Sequence, residues 1–173
     1  MARAIANYII LFLLLVLAQV LIFNHILLFG VAAPVVFIYF VIRLGMSVRF
    51  NTLITIAFLM GLCVDICSDT PGMNTLACTV MAAVKKPVLL AYTQRDEGFE
   101  EITPCISSLG IWIYSKYMIT MTLIYCLLYF CIEFFAVAAF WQVMLMTMAS
   151  TLLSYVLLLG IDGLIMRKRS GLA

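Results

Sequence analysis

Long apolar runs separated by short polar breaks make up this chain, and six of the runs could cross a bilayer, at about residues 5–23, 26–46, 51–67, 73–92, 110–132 and 140–166. A hydrocarbon core about 30 Å thick takes about 20 helical residues at 1.5 Å each. The pattern predicts an all-α fold, a polytopic membrane protein whose residues 1–173 form a single integral membrane domain, a bundle of six transmembrane helices.

The breaks refine the pattern. Arg3 precedes the first run and gives it the look of a secretory signal, but the run exceeds a signal's usual 7–15 apolar residues and no small-x-small site precedes Asn24, so it is expected to remain. Pro34 interrupts the second run. A proline is easiest to place in the first turn of a helix, so that helix is expected to start near Pro34 and end near Met46. Ser68-Asp69-Thr70-Pro71-Gly72 has the residues of a tight reversal between the third and fourth runs. Lys85-Lys86-Pro87 arrives about twelve residues into the fourth run, which predicts a helix that is short or bent there, with snorkelling lysines. The segment from Tyr92 to Leu109 is the one long hydrophilic connection, and the sixth run stops at Arg167-Lys168-Arg169.

Composition excludes a water-soluble globule. Apolar residues make up 66% and charged residues 10% of the chain, against roughly 45–50% and 25% in soluble domains, and mean hydropathy is +1.22. A net charge of +2 is too small to point to nucleic acid. The six cysteines are scattered through apolar runs without ligand spacing, and the lone His25 is remote from them, so neither a metal site nor a disulfide framework is expected.

The charges set the expected orientation. With both termini and alternate connections in the cytoplasm, Arg3, Arg43, Arg49, Lys85, Lys86, Arg95, Arg167, Lys168 and Arg169 all fall on that side, and Lys116 can reach it by snorkelling. The three outer turns, near Asn24, Ser68 to Gly72 and Phe134 to Ala139, contain no Lys or Arg, as the positive-inside rule requires.

A charge at the centre of a membrane helix costs about 2.5–3.5 kcal/mol or more, so each one is a candidate for function. Lys85, Lys86, Lys116 and Asp162 lie near inner ends, where anchoring explains them, with Arg167 near Asp162. Asp65 and Glu133 sit near outer ends without a basic residue predicted at that depth. They line a small outward-facing cavity, meet a partner's cationic or hydrogen-bonding groups, or simply stand exposed at the interface. In the sixth run Thr147, Ser150, Thr151, Ser154 and Asp162 recur at helical spacing, with Gly160 and Gly163 alongside, a stripe expected to pack against another helix, of this chain or of a second one. The chain has no G-x-S-x-G, HExxH or P-loop pattern, which argues against an enzyme, and no cofactor is implied.

One block says more than hydropathy. Phe58 to Ala77 contains a Gly, an Asp four residues later, a short Ser/Pro/Gly turn and then a small-residue helix, and this closely resembles the signature of MreD, the rod shape-determining membrane protein of bacteria. Gly61, Asp65, Ser68, Gly72, Leu76 and Ala77 match as they stand, and the likeness extends to Pro34, Lys86-Pro87, Leu109-Gly110, Glu133-Phe134 and the basic tail. Lys85-Lys86 is more basic than that family's fourth helix. The resemblance implies a non-enzymatic subunit of the cell-elongation machinery in the bacterial inner membrane. It would bind an MreC-like protein and, through it, the MreB filament, RodA and a penicillin-binding transpeptidase. Gly61, Asp65, Ser68, Gly72, Asn74 and Glu133 would form the partner-binding surface or outward pocket. MreD-like folds are also similar to the S components of energy-coupling-factor transporters, which implies an alternative: a subunit that captures a small molecule such as a vitamin.

Overall fold

A computed structural model of the chain describes residues 2–25, 32–93, 103–134 and 140–170. Helix α1 (Ala2–Leu21) leads into a 3₁₀ turn at Phe23–His25. Then come the short α2 (Tyr39–Arg43), α3 (Phe50–Ser68), α4 (Met73–Thr93), the one-turn α5 (Ile106–Leu109), α6 (Ile111–Glu133) and α7 (Phe140–Ser170). No strand occurs among the described residues. Four helices, α3, α4, α6 and α7, are long and apolar enough to cross a membrane, which makes this a multi-pass membrane protein.

Packing follows chain order, α3 on α4, α4 on α6 and α6 on α7, with α1 against α3. The outside is apolar, with Leu13, Leu17, Ile66, Leu152 and Val156 exposed, whereas Gln19, Asp65, Lys85, Ser154 and Asp162 are buried. That inversion suits a lipid solvent, in which polar groups must find partners within the protein. Trp112 near the start of α6 and Trp141 near the start of α7 are both exposed.

Helices α3, α4 and α6 lie within a residue or two of the predicted boundaries. Helix α4 is not short: it remains helical through Pro87 to Thr93. Helix α7 continues past the predicted end at 166 to Ser170.

The second predicted span needs a larger correction. Within 26–46, residues 26–31 lie outside the described residues, Ala33 to Val36 are not helical, and α2 has only five residues. The segment is apolar because it is interior: Val36, Phe37, Ile38, Tyr39, Val41 and Ile42 are almost completely buried. Its backbone runs beside α7 in the same direction, Ala33 meeting Ser150, Val35 meeting Ser154 and Tyr39 meeting Asp162. This covers about 18 Å of α7 at 1.5 Å per residue. Pro34 starts no helix here.

Candidate functional site

Two polar systems shape the bundle; they meet at one cavity, and the second runs from it to the opposite end. At one end Asp65, near the end of α3, aims its carboxylate at the start of α4. Oδ1 accepts from Thr70 Oγ1 at 2.6 Å, the Asn74 amide N–H at 3.1 Å and Asn74 Nδ2 at 2.9 Å. Oδ2 accepts from the Thr75 N–H at 2.8 Å and Thr75 Oγ1 at 2.5 Å. The carboxylate therefore caps α4 from a neighbouring helix, satisfying first-turn N–H groups and placing negative charge at the positive end of the helix dipole. Asp65 is only 3% exposed. The expectation that it faces outward is corrected: its acceptor capacity is spent inside.

Gly61 makes that approach feasible. A Cβ on Gly61 would lie 2.5 Å from Thr75 Cα and 2.7 Å from the Asn74 carbonyl oxygen, so only glycine lets the α4 terminus come this close. Gly72, at φ +78°, shapes the reversal and faces open space. Asp69 ends α3 in the left-handed region, at φ 54°, a conformation that Asp tolerates better than most residues. Ser68 Oγ accepts from Asn24 Nδ2 at 2.5 Å, tying the 3₁₀ turn after α1 to the hairpin.

Beside this hairpin lies a cavity of about 370 Å³ lined by residues of α1, the 33–37 segment, the 68–74 turn, α6 and α7. Of the predicted set, Ser68, Asn74 and Glu133 line it; Gly61, Asp65 and Gly72 do not, and they support it from behind. The main wall is aromatic. Phe37 meets Tyr125 edge to face at 5.6 Å, Tyr125 stacks on Tyr129 at 6.2 Å, Tyr129 meets Phe130 at 5.3 Å, and Phe130 stacks on Phe134 at 6.2 Å. Tyr125 also donates from its hydroxyl to Asn74 Oδ1. Gln19, Phe37, Tyr125, Tyr129 and Phe130 are cavity residues that sequence reasoning missed. The four-residue spacing of Tyr125, Tyr129 and Glu133 was the available signal, since it puts all three on one face of a helix.

The second system holds the irregular segment. Backbone N–H groups outside a helix need partners when buried. Ser150 Oγ accepts from the Ala33 N–H at 3.0 Å and Ser154 Oγ from the Val35 N–H at 2.8 Å. Gln19 accepts from the Val36 N–H at 2.8 Å and donates to the Pro34 carbonyl at 3.1 Å. At the far end Lys85 Nζ donates to the carbonyls of Val41 at 2.8 Å and Leu44 at 2.5 Å, and Tyr117 OH donates to that of Ile42 at 3.3 Å.

Several expectations change accordingly. Ser150 and Ser154 do pack internally, but against a non-helical strut. Gly160 and Gly163 are exposed, and a Cβ on either meets nothing within 4 Å, so neither packs within this chain among the described residues. Lys85 is 0% exposed and is no interfacial anchor. Asp162, also 0% exposed, pairs with Arg43 at 2.7 Å and accepts from Tyr39 OH at 2.6 Å, while the side chain of Arg167 lies outside the described residues.

Among the described residues no three His, Cys, Asp or Glu side chains cluster as metal ligands would. What the cavity offers is recognition, through ring faces, amides, hydroxyls and a carboxylate. No family model, no curated protein and no solved structure matches this chain.

Proposed function

We propose that this chain is a non-enzymatic scaffold subunit of the bacterial cell-elongation complex, an MreD-like protein that orients a membrane-anchored MreC-like partner and, through it, the MreB filament, RodA and a penicillin-binding transpeptidase. The observation that carries the reading is the block Phe58 to Ala77. The residues that match the MreD signature include those on which the hairpin depends: Gly61 for close approach, Asp65 for the cap, Ser68 for the tie to Asn24 and Gly72 for the turn. A sequence likeness whose members have interlocking physical roles is a stronger pointer than the same letters scattered on a surface.

In this reading the chain crosses the inner membrane six times with both termini cytoplasmic, by α1, the buried 32–44 strut, α3, α4, α6 and α7. A non-helical crossing is tolerated at membrane depth only where protein surrounds it, and the bonds from Gln19, Ser150, Ser154, Lys85 and Tyr117 meet that condition. Arg43, Lys85 and Lys116 would mark the cytoplasmic side, and the cavity would open outward. The protein works by helix packing, with no bond made or broken. Depleting it is expected to round the cells, and a tagged copy is expected to copurify with a partner of MreC type. Cells that keep their shape, with no such partner recovered, overturn the reading.

The cavity favours a second reading, a substrate-capturing subunit of a small-molecule transporter, because its volume lies within the roughly 300–1,000 Å³ typical of ligand sites. Copurification with an ATPase instead of an MreC-like protein would favour it.

A further inference from the structure

The lining of the cavity is asymmetric in charge: among the described residues it contains the carboxylate of Glu133 and no Lys or Arg. Glu133 ends α6 at the outer end of the aromatic wall, one helical turn beyond Tyr129. It is exposed and forms no ion pair among the described residues.

The amide side chains and Ser68 differ from Glu133 in being already engaged. Gln19 bonds Asn24, Pro34 and Val36; Asn74 bonds Asp65 and Tyr125; Ser68 accepts from Asn24. A ligand would gain little from competing with these internal bonds. What remains to recognise it, among the described residues, is a set of ring faces, the hydroxyl of Tyr129 and one negative charge.

That combination selects by charge. An anion is repelled by Glu133, and a neutral molecule gains only contact with the rings and the Tyr129 hydroxyl. An ammonium group gains both the carboxylate and the negative faces of the aromatic rings. At about 370 Å³ the space is near the lower end for small-molecule sites, which suits a one-ring body carrying a cationic group.

We infer that the cavity between α1, α6 and α7 binds a small organic cation, its ammonium group held at Glu133 and its apolar body along Phe130, Tyr129 and Tyr125. The inference rests on the cavity alone and on neither functional reading above. The same ammonium chemistry is present in a free amine and in an ethanolamine lipid headgroup, and the test separates the two.

Thermal unfolding of the purified full chain in detergent should be followed with phenethylamine and benzyltrimethylammonium, with phenethyl alcohol and phenylacetate as neutral and anionic counterparts. The two cations are expected to raise the midpoint while the other two do not, and Glu133→Gln, which breaks no bond among the described residues, should weaken the cation effect about tenfold or more at an unchanged starting midpoint. A second arm adds phosphatidylethanolamine or phosphatidylglycerol to the micelle. Stabilisation by the ethanolamine lipid that is displaced by phenethylamine assigns the headgroup as the source, and its absence assigns the free amine. Equal shifts from all four probes, no shift at millimolar concentration, or an undiminished effect in Glu133→Gln each overturn the inference.

Discussion

The guanidinium of Arg43 lies 2.7 Å from the carboxylate of Asp162, linking the end of α2 to the last helix across 119 positions. Tyr39 donates to the same carboxylate oxygen, and Arg43 also sits over the Tyr39 ring, 5.6 Å from its centroid. The pair fastens one end of the irregular strut, as Ser150 and Ser154 fasten the other.

Breaking this pair leaves a cation with little access to water, since Arg43 is 14% exposed and Asp162 fully buried. Asp162→Asn is therefore expected to destabilise the protein by about 3–5 kcal/mol. The double replacement Arg43→Met with Asp162→Leu should recover most of that loss, because no unpaired charge remains. Unfolding midpoints of the two single variants and the double variant in detergent check this; additive losses would count against a coupled pair.

Glycine position should decide the effect of an added methyl group. Gly61→Ala forces the α4 terminus away from α3 and is expected to cost about 1–3 kcal/mol despite alanine's better helix propensity. Gly160→Ala and Gly163→Ala meet open space and should be neutral or stabilising by up to about 1 kcal/mol each. The three midpoints, measured side by side, provide the comparison.

The hydroxyls of α7 divide in the same way. Ser154→Ala would strip the partner from the buried Val35 N–H, and Ser150→Ala that from Ala33, at about 1–3 kcal/mol each. Thr147 and Thr151 have buried hydroxyls without a partner among the described residues, so Thr147→Val and Thr151→Val should be neutral or stabilising. If unfolding measurements rank all four alike, the strut does not depend on these hydrogen bonds.

Lysine reactivity offers a check on burial. Lys85 is enclosed and bonded to two carbonyls, whereas Lys116 is exposed on α6. An amine-reactive reagent applied to the folded protein should modify Lys116 and leave Lys85 untouched until denaturant is added, as peptide mass mapping would reveal. Rapid modification of Lys85 in the folded state would mean that the clamp on Val41 and Leu44 is open.

Helices α3, α4 and α6 were legible because length and apolarity decide membrane helices almost without reference to neighbours. The 26–46 run misled for the same reason: hydropathy reports removal from water and is equally high for a lipid-facing helix and for a strut inside the protein. Pro34 marks the break in the run, but no helix starts there. In the site, Asp65 and Glu133 stood out as charges at similar depth, yet Asp65 turns inward to five donors and Glu133 borders the cavity. Nothing along the chain separates them.

Apolar run length by itself determined that this chain lives in a membrane as helices and where most of them begin and end, because in hydrocarbon each helix must satisfy its own backbone. Only the tertiary structure decided how the polar residues are used. Gln19, Lys85, Ser150, Ser154 and Asp162 lie far apart in sequence and acquire their roles when packing brings one irregular segment among them, and the cavity exists only where the hairpin, that segment and the facing ends of α6 and α7 meet.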